Sequence, residues 1–115
     1  MPKKEVPMAQ LQDYLPPGTY EAVLDYLRQF RVHLTVARER KSILGDYRHR
    51  THQDNHRISV NGNLNPYSFL ITLLHELAHL LTFEQFGNNV LSHGKECVYV
   101  TCKIFSTIVS YRLPV

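Results

Sequence analysis

Residues 65–87 read NPYSFLITLLHELAHLLTFEQFG, and this stretch decides how the chain folds. Asn65 is a favoured helix N-cap residue, and Pro66 suits the first helical position because its missing N–H has no intrahelical partner there. Gly87 is the residue type that most often follows a last helical turn. The stretch therefore predicts one long helix that is buried around most of its circumference. The apolar residues expected on the buried arc are Phe69, Leu70, Ile71, Leu73, Leu74, Leu77, Ala78, Leu80 and Leu81.

A narrow polar strip along this helix holds two histidines and a glutamate. His75 and His79 are one turn apart, so both imidazoles can reach a single metal ion. Glu76 points to the side of the pair, where its carboxylate can take a proton from a metal-bound water. The alternative is two core histidines satisfied by hydrogen bonds, but three such polar groups on a buried helix are costly without a metal. We therefore expect one Zn²⁺ ion as cofactor, with Glu76 as the general base.

A catalytic zinc takes three protein ligands and leaves one position for water, so a third ligand must come from beyond the helix. His93 is the expected third ligand, and Glu96 is the competing one. Cys97 is interpreted as a small buried apolar residue rather than a ligand. Glu84 lies on the long helix itself but faces away from the histidine pair.

The segments before the long helix predict a small sheet. Residues 32–36 alternate between apolar and polar types, which is typical of a strand with one buried face. Further strands are expected at 46–50 and 57–61, with Asp54 and Asn55 in the turn between them. We expect these three strands to pair in an antiparallel sheet.

Helices are expected on both sides of this sheet in the sequence. Residues 7–14 predict a short helix, and Thr19 is a candidate N-cap for a second one with apolar residues at helical spacing. Ser92 is a candidate cap for a last helix from His93 to about Ser110, although its many β-branched residues leave a strand as the alternative. The expected fold class is α+β, a single domain over residues 1–115 with the sheet packed against the long helix and flanking helices.

Composition limits the class of protein. The chain has 115 residues, 43% hydrophobic and 20% charged, which is ordinary for a globular domain. The apolar stretch 69–83 is interrupted by the histidines and Glu76, so no membrane span is expected. No apolar segment follows the N-terminal residues as a secretion signal would require. With only two cysteines at an uninformative spacing, a reduced cytoplasmic setting is expected.

Positive charge is concentrated in one segment of the chain. The formal net charge is +3, and residues 38–57 hold six Lys or Arg residues against three acids. Such a segment favours a polyanion such as DNA, and the alternative is a solvated hairpin surface. The histidines in and near it, His33, His49, His52 and His56, are interpreted as surface or strand residues. The candidate nucleic-acid-binding residues are Arg38, Arg40, Lys41, Arg48, Arg50 and Arg57.

Four short segments together resemble the SprT-like domain family, which includes the Spartan proteases that cut proteins cross-linked to DNA. They are LGDYR at 44–48, HRISVN at 56–61, LLHELAH at 73–79 and HGKE at 93–96. The resemblance covers roughly residues 20 to 105. It implies a zincin-like metallopeptidase fold with His75, His79 and His93 as zinc ligands and Glu76 as general base. It also implies a substrate lying along the sheet edge, and contact with DNA.

Two departures from the family are visible. Cys97 stands where the family often has an aromatic residue, and no C-terminal zinc ribbon or DNA-binding extension precedes the end at Val115. The expected function is a zinc-dependent metallopeptidase acting on a protein or peptide, with DNA contact, no membrane, and a monomer assumed. One alternative is a DNA-binding module with a structural or inactive metal site. A second is a zinc hydrolase that acts on something other than a peptide.

Overall fold

The computed structural model describes residues 4–5, 8–87, 94–95, 100–101, 103–104 and 106. In this part of the chain it is an α+β fold, as predicted, with one four-stranded sheet. In chain order the elements are β1 (Lys4–Glu5), a 3₁₀ helix (Met8–Tyr14), α1 (Tyr20–Gln29), β2 (His33–Ala37), β3 (Gly45–Arg48), β4 (Arg57–Asn61) and α2 (Pro66–Phe86).

The sheet is mixed, so the prediction of an antiparallel sheet was wrong. Its strand order is β1-β2-β4-β3, with β2 and β4 parallel and the other two pairs antiparallel. Four of the five β4 residues are buried, whereas β3 is only half-buried. Burial therefore favours β4 in the centre and β3 at the edge. The β2–β3 connection, residues 38–44, is long enough to cross the end of β4 and make this order.

One side chain of the central strand holds the 38–44 connection in place. The amide oxygen of Asn61 accepts a hydrogen bond from Nε of Arg40 at 2.7 Å. Its amide nitrogen donates to the carbonyl oxygens of Ile43 at 2.9 Å and of Arg40 at 3.3 Å. The backbone N–H of Asn61 donates to the carbonyl of Leu44 at 2.8 Å. Asn61 is 1% exposed, so these bonds are shielded from water.

The hydrophobic core lies between α2 and one face of the sheet. Leu34 of β2 and Ile58 and Val60 of β4 point into it and are almost fully buried. Leucines around most of α2 join them, as the apolar arc predicted. Ile71 is the exception: it was expected on the buried arc but is 55% exposed.

The two α-helices begin differently. Oδ1 of Asn65 accepts a hydrogen bond from the backbone N–H of Ser68 at 2.9 Å, so the predicted cap of α2 is confirmed. Gly87 ends the helix at a φ of 67°, a conformation that favours glycine. Thr19 precedes α1, but its hydroxyl donates to the carbonyl of Pro16 at 2.8 Å and makes no cap.

Beyond α2 the structure describes only a few residues. Six described residues of the expected last helix are helical, and Val100 and Ile104 are buried in the core. The helix prediction is confirmed at those positions, and the rest of it lies outside the described residues. None of the helices in the described part is long and apolar enough to span a bilayer. The six helical residues are Lys95, Val100, Thr101, Lys103, Ile104 and Ser106.

Candidate metal centre

The two histidines of α2 converge on each other. Nε2 of His75 and Nε2 of His79 are 3.2 Å apart. The two rings are perpendicular, with their centroids 4.8 Å apart. This follows from the four-residue spacing, which stacks the side chains one turn apart on the same helix face.

The separation of these nitrogens fits two ligands of one zinc ion. With Zn–N bonds of about 2.05 Å and a tetrahedral angle, two ligand nitrogens lie about 3.3 Å apart. The 3.2 Å found between His75 and His79 matches that value. Among the described residues, no group of three or more His, Cys, Asp or Glu side chains is placed to hold a metal. The expected third ligand His93, its competitor Glu96, and Cys97 all lie outside those residues.

Glu76 lies on the side of α2 that faces the sheet, and it is 8% exposed. A Cβ atom added at Gly45 would lie 3.3 Å from Oε2 of Glu76 and 2.7 Å from Cγ2 of Thr72. The carboxyl group therefore lies against the edge strand β3 at Gly45. Burial raises the pKa of Glu76 to about 7, the charge of Asp46 adds to the rise, and the charge of Arg40 opposes it.

A second polar cluster lies near the C-terminal end of α2. We call it the His56 cluster, and it consists of Tyr47, Arg50, His56 and Glu84. Nε2 of His56 lies 2.7 Å from Oε2 of Glu84, and Nε of Arg50 donates to the same oxygen at 2.8 Å. Nδ1 of His56 accepts from the backbone N–H of Arg50 at 3.2 Å and lies 3.0 Å from the Tyr47 hydroxyl.

These contacts determine the protonation of His56. The backbone N–H of Arg50 can only donate, so Nδ1 of His56 must be the acceptor and the proton is on Nε2, facing Glu84. The imidazole is then neutral, which agrees with burial lowering the pKa of His56. The hydrogen bond from Arg50 lowers the pKa of Glu84, which keeps that carboxylate ionised. Burial raises the pKa of Tyr47, so its hydroxyl stays protonated.

Sequence reasoning missed the His56 cluster. His56 was expected at the surface or in a strand, but it is 2% exposed and lies just before β4. Its partner Glu84 is 28 positions away, so no local spacing could reveal the pair. The exposed positions of His33, His49 and His52 agree with the prediction.

The six basic candidate residues do not share one environment. Arg48 and Arg57 are opposite each other on β3 and β4. Arg40 is partly buried and donates to Asn61 and to Ser59. Arg50 belongs to the His56 cluster, and Arg38 and Lys41 are exposed in the 38–44 connection.

Comparison with protein-family models, with curated proteins and with solved structures gives no match for this chain. The geometry of the site therefore carries the functional argument. That geometry consists of two convergent imidazoles, a buried carboxyl group between them in sequence, and an edge strand directly beside that carboxyl group.

Proposed function

We propose that the protein is a zinc-dependent metallopeptidase. The observation that carries the proposal is the 3.2 Å between the Nε2 atoms of His75 and His79, the spacing of two nitrogen ligands on one zinc ion. In this proposal His93 is the third ligand, as the resemblance to the SprT-like domain implies. The fourth position belongs to water.

Glu76 is the general base in this mechanism. Zinc, when bound, lowers the pKa of a coordinated water and polarises the carbonyl oxygen of the substrate. Glu76 follows His75 directly in the sequence and its carboxyl group is held against the edge strand. It takes the proton of the attacking water and then passes it to the amine that leaves. The buried surroundings keep the carboxylate away from bulk water, which would compete for its hydrogen bonds.

The edge strand supports a peptide as substrate. Within the described residues β3 has a strand neighbour on one side only, β4. An extended peptide can add to such an edge through backbone hydrogen bonds. Because Gly45 of β3 lies against Glu76, a peptide on this edge would place a backbone carbonyl near the proposed metal site. We infer from the family resemblance alone that the substrates are proteins bound or cross-linked to DNA.

The test is Glu76→Gln, which removes the base and keeps the shape of the side chain. We expect zinc content by mass spectrometry to stay at one ion per chain, while cleavage of an unfolded protein substrate falls at least ~100-fold. The matched control is Glu21→Gln, an exposed glutamate in the first turn of α1, which should cleave like the wild type. Cleavage that survives in Glu76→Gln, or none by the zinc-loaded wild type, would contradict the proposal.

The same measurements separate the alternatives. A DNA-binding module with a structural zinc site predicts a fourth protein ligand, such as Cys97, and no cleavage by any variant. A gel-shift titration with single- and double-stranded DNA at two salt concentrations would then show binding that weakens with salt. A zinc hydrolase for another substrate class predicts full zinc content and no cleavage of any peptide. A wild-type chain that binds no zinc would exclude the metallopeptidase and both alternatives.

A further inference from the structure

The face of the sheet opposite α2 carries a concavity of about 400 Å³. Strand alternation sets its lining, because the side chains of Leu34, Ile58 and Val60 point into the core and their neighbours point the other way. The volume is within the range of small-molecule sites. The residues whose side chains point toward it come from three adjacent strands, and the backbone of Ile58 lies between two of them; they are His33, Thr35, Asp46, Arg48, Arg57 and Ser59.

Three residues that can carry positive charge form one row across this face. His33 of β2 is the register partner of Arg57 of β4, and Arg57 is the register partner of Arg48 of β3. Neighbouring strands are about 4.8 Å apart, so like charges directly opposite each other destabilise the sheet. A folded chain that keeps such a row gains stability from any anion that binds there.

The two nearby carboxylates that the structure describes, Asp54 and Asp46, do not pair with Arg48. Arg57 pairs with Asp54 at 3.3 Å, but both side chains are more than half exposed, so water and salt screen the pair. Among the described residues, the guanidinium of Arg48 makes no hydrogen bond or ion pair. Asp46 belongs to the next row, where Arg40 lies 3.9 Å from its carboxylate. Positive charge therefore remains at Arg48 and, in part, at Arg57.

The next row adds polar groups beside the cations. Thr35, Ser59 and Asp46 are register partners across the same three strands. The Ser59 hydroxyl accepts from Arg40 at 3.1 Å and donates to Asp46 at 3.3 Å, which fixes its orientation. Thr35 contributes a second hydroxyl on the same wall of the concavity.

We propose that this concavity binds the phosphate group of a small phosphomonoester. Two guanidinium groups on adjacent strands can offer a phosphate paired N–H donors, the geometry in which arginine binds oxyanions most strongly. The concavity has a volume of about 400 Å³, which suits a small ligand rather than a polymer. The site is on the other face of the sheet from Glu76 and shares no residue with the proposed metal centre.

The test is calorimetric titration of the full chain with inorganic phosphate and with O-phosphoserine at low and at moderate salt. We expect saturable one-to-one binding of both, weakened about tenfold or more by Arg48→Gln and by Arg57→Gln. Arg28→Gln is the matched control, since Arg28 is an exposed arginine in the last turn of α1, and its affinity should equal that of the wild type.

Three results would overturn the proposal. The first is the absence of saturable binding of either compound to the wild type. The second is equal binding by Arg48→Gln, Arg57→Gln and the control. The third is tight, steeply salt-dependent binding of a single-stranded oligonucleotide that depends on Arg48 and Arg57 while the small phosphates do not bind, which would assign the row to nucleic acid instead. Circular dichroism and thermal unfolding verify that each variant is folded.

Discussion

Two polar clusters include residues of α2, and their nitrogen atoms are arranged differently. In the His56 cluster an imidazole N–H faces a carboxylate, and the other ring nitrogen accepts from a backbone amide. At the motif, the Nε2 atoms of His75 and His79 face each other at 3.2 Å. In the first arrangement each donor faces an acceptor, whereas in the second two ring nitrogens of the same kind face each other.

We propose that this difference separates a structural cluster from a ligand-binding one. Two neutral imidazoles can form a hydrogen bond in one direction only, because one nitrogen must carry the proton. A metal ion between them is bound by both lone pairs at once. Composition alone, histidine plus glutamate in each case, does not distinguish the two clusters. The orientation of the ring nitrogens does, and the predictions on zinc affinity and on His56→Ala below test it.

The largest effect is expected on zinc affinity. His79→Ala removes one of the two convergent nitrogens, so we expect affinity to fall at least ~1,000-fold, equivalent to about 4 kcal/mol. His56→Ala removes a histidine from the other cluster and should keep the wild-type affinity. Competition with a chromophoric chelator measures both. Equal losses in the two variants would show that the clusters do not differ in the way described.

The next effect is a pH dependence caused by Glu76. Its pKa is raised from 4.5 to about 7 in the folded chain, so below pH 4.5 the group is protonated in both folded and unfolded states. As the pH rises from 4.5 to about 7, the unfolded chain releases the proton first, and the free energy of unfolding falls. In metal-free protein, the free energy of unfolding of Glu76→Gln should therefore rise relative to that of the wild type by on the order of 3 kcal/mol from pH 4 to pH 8. Urea unfolding at several pH values measures this, and a pH-independent difference would contradict it.

A smaller effect is expected when the His56 cluster is broken. His56→Ala leaves the half-buried Tyr47 hydroxyl and the Arg50 amide without their acceptor, and Glu84 keeps only the donor from Arg50. We expect a loss of about 2–3 kcal/mol in the free energy of unfolding. His52→Ala is the control, because that histidine is exposed, and it should change stability by less than ~0.5 kcal/mol. A His56→Ala variant as stable as this control would show that the cluster contributes nothing.

The smallest effect on stability, but one specific to the site, is expected at Gly45. A Cβ there meets Cγ2 of Thr72 at 2.7 Å and Oε2 of Glu76 at 3.3 Å. Gly45→Ala should cost about 1–2 kcal/mol and also lower kcat, because β3 must move away from the general base. Gly62→Ala is equally crowded, with Cγ1 of Val36 at 2.5 Å, but none of the contacts of its added Cβ is with Glu76. It should lose stability and keep kcat. The same kcat in both variants would argue against a positioning role for Gly45.

Local sequence signals predicted α2 and its motif. Asn65, Pro66 and Gly87 act within one helical turn, so the helix limits follow from neighbours in sequence. The spacing of His75 and His79 likewise fixes their geometry on a helix. The limits of β4 were also correct, because the alternation is local.

The features that the sequence did not predict depend on contacts between segments that are distant in the chain. The parallel pairing of β2 with β4 depends on which strand is buried most, a property of the whole sheet rather than of either segment. The burial of His56 depends on Glu84, which joins it only once α2 packs on the sheet. Exposure of Ile71 is set by where α2 meets its neighbours, which helical periodicity does not specify.

The hydrogen bonds of Asn61 determine where the chain can accept an inserted residue. The 38–44 connection is tied at Arg40, Ile43 and Leu44 to one buried residue of the central strand. An inserted residue between Arg40 and Leu44 would break at least one of these ties and shift β3 against α2, whereas one beside the exposed Arg38 would leave them intact. The 38–44 connection has no regular secondary structure, but its hydrogen bonds to Asn61 hold β3 at a fixed distance from α2.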